Sequence, residues 1–185
     1  MRSPRQLFSI QRRLNCWGIV LLSLYSVHAD EKPRALAPAF SGEILGVAVN
    51  AQHLGIVLDI SESMNPALPT VRAALREKVP KSPVVHVDGC RLEKPAPRAA
   101  LQNGVAPEPI TAVIALAEKA GADTIFWISD QGDPHIRDGV LALKDTLTEH
   151  DLRLIIVSLK NKPNPSLRKL TEGSRGRWAM VQVAK

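Results

Sequence analysis

An α/β fold with a mostly parallel central sheet, flanked by helices on both faces, is the architecture this sequence predicts. Three observations carry it. Strand-like and helix-like segments alternate from residue 41 towards the C-terminus, the order that builds a parallel sheet with crossover helices. The run Leu54, Ile56, Val57 and Leu58 is short, apolar and rich in β-branched residues, which suits a strand buried on both faces. This run and the later one at 124–129 each lead straight into an acidic loop, and a parallel sheet collects its ligands outside the carboxyl ends of its strands.

The first 29 residues stand apart. Arg2, Arg5, Arg12 and Arg13 precede the apolar run Cys16 to Tyr25, and Val27-His28-Ala29 follows before Asp30. A basic stretch, an apolar core and small residues at a cleavage point make a secretory signal, so the expected location is secreted or periplasmic. Membrane association is expected only through an uncleaved signal, because the apolar run is short for a span. Cleavage near Ala29 removes four arginines and no acids, and the formal charge falls from +6 to +2. No Lys/Arg stripe with interleaved aromatics appears in the remainder, which argues against nucleic-acid binding. Cys90 is then the one thiol of the mature chain. It is either buried as a small apolar residue or paired with another chain.

The elements follow in order. Residues 30–40, with prolines and mixed charge, read as a leader, and 41–185 as one domain. Glu43 to Val49 suggests a first, edge-type strand, followed by strand 54–59. Pro66 sits where a proline is tolerated at the first helical position. Leu68, Val71, Ala74, Leu75 and Val79 then recur at helical spacing, giving an amphipathic helix over 67–79. Pro83 to Val87 is a short strand closed by the turn signal Asp88-Gly89. Four prolines within 91–109 mark an irregular stretch. Ile110 to Ala120 is helical with a stop at Gly121. Thr124 to Ser129 is a buried strand with Trp127 in its middle, placed in the core. Ile136 to His150 reads as a helix, Leu152 to Leu159 as a strand, Ser166 to Leu170 as a short helix, and Arg177 to Val183 as a closing strand.

The chemistry concentrates in Asp59-Ile-Ser61-Glu-Ser63. A carboxylate and two hydroxyls at a spacing of two, in a tight loop, turn their side chains the same way. These are hard oxygen donors, which suit Mg²⁺ better than Zn²⁺ or copper. The same residues also favour helix caps. Asp130, after the strand 124–129, begins a second acidic loop that can meet the first across the top of the sheet. Asp133 before Pro134 reads as a turn or cap. His86 and His135 are isolated, and nothing pairs them as a zinc site.

Asp59, Ser61 and Ser63 with Met64 after them, the strand-then-Asp loop at 124–130, and the tail LRLIIVSL followed by PSLRKLTEGSRGRWAMVQV together resemble the von Willebrand factor A (vWA) domain family. The resemblance spans roughly residues 41–185. It implies a Rossmann-like fold and a metal-ion-dependent adhesion site in which Mg²⁺ (or Mn²⁺ or Ca²⁺) keeps an open coordination position, completed by an acidic group of a protein partner. By position, Asp59, Ser61 and Ser63 supply the first ligand loop and Asp130 the last. The family's remaining ligand is a threonine before a helix, and Glu108 stands at that place, three residues ahead of Thr111. A carboxylate there either binds the ion and closes its open position, or marks a site that has lost its metal.

Enzyme classes find less support. No Gly-x-Ser-x-Gly nucleophile elbow is present. The position two after Asp59, where a phosphoryl-transfer aspartate wants a second acid, is Ser61. No phosphate-cradling glycine-rich loop follows any strand. The expectation is a non-enzymatic binding module.

Overall fold

A computed structural model describes residues 36–89, 92, 101–130, 137–162 and 164–182. The signal segment, Cys90, Asp133 and His135 lie outside the described residues. The chain forms an α/β, Rossmann-like fold around six parallel strands. In chain order the elements are β1 (Phe40–Ile44), β2 (Val47–Ala51), β3 (Leu54–Asp59), α1 (Leu68–Lys78), β4 (Val84–Val87), β5 (Val105–Ala106), α2 (Pro109–Ala120), β6 (Thr124–Ser129), α3 (Arg137–Glu149), β7 (Arg153–Ser158), α4 (Pro165–Gly173) and β8 (Arg177–Met180). A 3-10 turn, Glu62–Met64, lies between β3 and α1.

The sheet order is β5-β4-β3-β6-β7-β8, all parallel. The chain therefore begins the sheet at its centre, grows outward through β4 and β5, then returns to the other side of β3 for β6, β7 and β8. The reversal falls between β3 and β6, and an open α/β sheet leaves its ligand crevice at that switch point.

Every residue of β3 and β6 is buried, and so is all of β7 except Arg153. This is why these strands lack polar alternation. Neighbouring residues nonetheless diverge into two separate clusters, as the period-2 geometry of a strand requires. Val57, Ile125, Trp127, Leu154 and Ile156 pack with Ile110, Val113 and Leu116 of α2, Leu143 and Leu147 of α3, and Leu167 and Leu170 of α4. Ile56, Leu58, Phe126, Ile128, Ile155 and Val157 pack with β1, β2 and Val71 and Leu75 of α1. Each such aliphatic side chain taken fully out of water contributes roughly 1.5–3 kcal/mol. Trp127 is wholly buried, as its place in the strand predicts.

Four local expectations change. The stretch expected as one edge strand, Glu43 to Val49, is a two-stranded antiparallel hairpin in which Ile44 pairs with Val47. Its two-residue turn, Leu45-Gly46, has φ of 53° and 74°, the double positive φ of a type I′ turn. Pro66 lies in the turn before α1, and the proline of that helix's first turn is Pro69. The irregular stretch at 91–109 contains the two-residue strand β5. Finally β8 stops at Met180, residues 181–182 lie outside any strand and Val183 lies outside the described residues, while α4 runs on to Gly173.

Candidate metal centre

The strand register lines up polar residues at the carboxyl edge of the sheet. Leu58 pairs with Ile128, so Asp59 follows beside Ser129, and Ser129 pairs with Ser158. All three residues are fully buried. Their hydroxyls and carboxylate are a break in the apolar interior, and each is bonded to a neighbour.

Asp59 is the hub of this row. Its Oδ1 accepts the Ser61 N–H at 2.9 Å and the Gly89 N–H at 3.1 Å, and its Oδ2 accepts the Ser129 hydroxyl at 2.6 Å. The first bond is local and curls the loop after β3 over the strand end. The second reaches across to the turn after β4, where Gly89 at φ 104° adopts a backbone that side-chain-bearing residues rarely take. The third ties β3 to β6 across the switch point. Three donors on one carboxylate fix its orientation and leave about one of its four lone-pair sites for anything else.

Above it, the Oγ atoms of Ser61 and Ser63 lie 3.2 Å apart. The two-residue spacing does turn both hydroxyls to the same side. Two ligands on neighbouring corners of an Mg²⁺ octahedron sit about 2.9 Å apart, and the longer bonds of Ca²⁺ stretch that edge to about 3.4 Å. The two hydroxyls hydrogen-bond each other at a separation that falls between these two edges.

Asp130 follows Ser129 directly and is 5% exposed. Its backbone carbonyl accepts Nδ2 of Asn161 at 2.7 Å. Asn161 is held in turn by Ser158, whose hydroxyl donates to its carbonyl at 2.7 Å. The ends of β3, β6 and β7 thus share one hydrogen-bonded system.

Glu108 serves a different local purpose. It is the N-cap of α2, with extended backbone, and its carboxylate accepts the N–H of Ile110 at 2.8 Å and of Thr111 at 3.1 Å. The Thr111 hydroxyl donates to the same carboxylate. Pro109 follows at the first helical position, where its missing N–H costs nothing. The acid thereby satisfies the orphan donors of the helix start and complements its dipole. β5, which ends two residues before Glu108, pairs with β4 through Val87 and Ala106, and Val87 pairs with Asp59. The cap therefore stands two strands away from β3 along the same sheet edge.

Of the five sequence-predicted residues, the fold brings Asp59, Ser61 and Ser63 into one bonded loop and sets Asp130 next to Asp59's partner on the adjoining strand. It gives Glu108 a helix to cap. Among the described residues, no three His, Cys, Asp or Glu side chains gather as a metal cluster. Ser129 and Asn161 have no place in the sequence reading of the site, and Gly89 figures there only as a turn residue. A signal for the first was present: the apolar runs of β3, β6 and β7 each close on a polar residue, Asp59, Ser129 and Ser158. The chain matches no protein-family model, and no curated protein matches it significantly.

Proposed function

We propose that this is an exported, non-enzymatic vWA-like protein that holds a divalent cation, Mg²⁺ in the first instance, at the β3–β6 switch point and engages a protein partner through it. The single observation that most supports this is the pair of serine hydroxyls, 3.2 Å apart, beside a carboxylate whose direction is fixed by three donors. Ser61 and Ser63 would hold the ion directly, with Asp59 and Asp130 supplying negative charge. Oxygen ligands with few charges leave the ion electron-poor, so an acidic group of the partner binds it strongly and directionally.

Thermal unfolding of the chain in Mg²⁺ and in Mn²⁺ tests this. At a hundredfold excess over Kd, mass action raises the midpoint by roughly 5–10 °C. Ser63→Ala, at an exposed position, is expected to abolish the rise without unfolding the protein. No rise in the parent chain, or an equal rise in Ser63→Ala, sinks the proposal.

A second reading is favoured by one observation, the commitment of the Glu108 carboxylate to the α2 cap. In it the domain serves assembly and its site holds no metal. The same titration separates the two, since a metal-free site gives no shift.

A further inference from the structure

A second feature lies on α3 and α4. The two helices enclose a groove of about 580 Å³, within the range of about 300–1,000 Å³ typical of small-ligand sites. Its floor is apolar, built from Val140, Leu147, Leu152 and Leu170. Val140, Lys144 and Leu147 recur at helical spacing on α3, and Ser166, Lys169, Leu170 and Gly173 do so on α4, so one stripe of each helix faces the groove. Lys144 and Lys169 stand on its two walls, both exposed. Neither has a carboxylate within ion-pair distance among the described residues. The nearby acid of the groove, Asp151, is engaged by Arg175 at 2.5 Å. The apolar lining of the groove is therefore shared with two lysines, one from each helix, that form no ion pair among the described residues.

We propose that this groove binds a small amphipathic anion, an aliphatic chain carrying one carboxylate, with the chain on the leucine floor and the carboxylate between Lys144 and Lys169. The volume favours a small molecule over a protein segment. The charge pattern selects an acid head, because the long lysine stems lie along apolar surface while their ammonium groups reach the rim. A purely apolar ligand would leave both lysines where they were and gain nothing from them. The assignment is independent of the metal reading, since the groove's lining shares no residue with that site.

Equilibrium dialysis of the full chain against labelled decanoate tests it, with decanol as the uncharged comparison. The expected result is saturable binding of one decanoate per chain, at least tenfold tighter than decanol. The double variant Lys144→Glu/Lys169→Glu weakens decanoate at least tenfold, while Lys119→Glu, an exposed charge reversal on α2, leaves it unchanged. Circular dichroism of both variants checks that they fold. Absent or unsaturable retention, equal affinity for decanol, or equal binding by the double variant and Lys119→Glu overturns the proposal. Saturable binding of an acidic, leucine-rich peptide in the absence of decanoate binding also overturns it, because it gives the groove to a protein partner.

Discussion

Asp59 shows how one buried carboxylate acts at the scale of a residue. Its cost in a dry strand end is met by the Ser129 hydroxyl and by two backbone N–H groups. Truncation removes the acceptor these three donors share, and a buried donor left unsatisfied costs about 1–3 kcal/mol. Asp59→Ala is therefore expected to lower the urea-unfolding free energy by about 2–4 kcal/mol even in chelator, whereas Ser63→Ala shifts it little. His86 adds a pH effect of its own at this scale. Partial burial disfavours its charged form, and the Arg72 guanidinium adds to that, so its pKa lies below the ordinary 6.5. In the window between the folded value and 6.5, the unfolded chain binds more protons than the folded one. Its contribution to stability is then complete above pH 6.5 and is lost as the pH falls through that window. Urea midpoints measured from pH 7.5 down to 5 should fall less steeply in His86→Gln than in the parent; identical slopes refute the assignment.

At the scale of elements, the helices and central strands followed from periodicity, and the misreadings came from turn chemistry. Leu45-Gly46 is not one of the Asn-Gly or Asp-Gly pairs that announce a type I′ turn, so the hairpin read as one strand. β5 has two residues, too few for any alternation. α2 poses a sharper question through Glu108. Glu108→Ala removes the acceptor for its first-turn N–H groups and should cost about 0.5–2 kcal/mol, read by denaturant unfolding. Glu108→Thr is the informative variant. Threonine also caps a helix, so stability is largely kept, and it adds the hydroxyl that the vWA resemblance expects. If a cation site operates, the Mg²⁺-induced rise in midpoint grows in Glu108→Thr. If Thr111 or the serines alone set affinity, the rise stays at the parent value.

The whole molecule is organised by its strand order, which starts at β3 and turns back at β6. That order gathers the Asp59 loop and Asp130 from positions 71 residues apart in the chain. No helix among the described residues is long and apolar enough to cross a membrane. The export proposal makes a direct prediction at this scale. Protein recovered from an exporting host should begin at Asp30, and intact-mass spectrometry should find it lighter by residues 1–29, with a formal charge of +2. Recovery of the chain with Met1 retained would return the first segment to the role of an anchor.

The sequence by itself determined the α/β alternation, the three buried strand runs, the Asp59-Ser61-Ser63 loop and the span of α2 with its Gly121 stop, because each depends on residues within a few positions of one another. The tertiary structure decided what lies beside what. Asp59 became Ser129's acceptor and Gly89's acceptor through strand pairing, and Glu108 became a cap with both oxygens engaged. Lys144 of α3 and Lys169 of α4 came to line one groove only when the two helices packed together. Local periodicity records which face of an element is buried; the neighbour that buries it is set by strand order and register, which no short stretch of sequence contains.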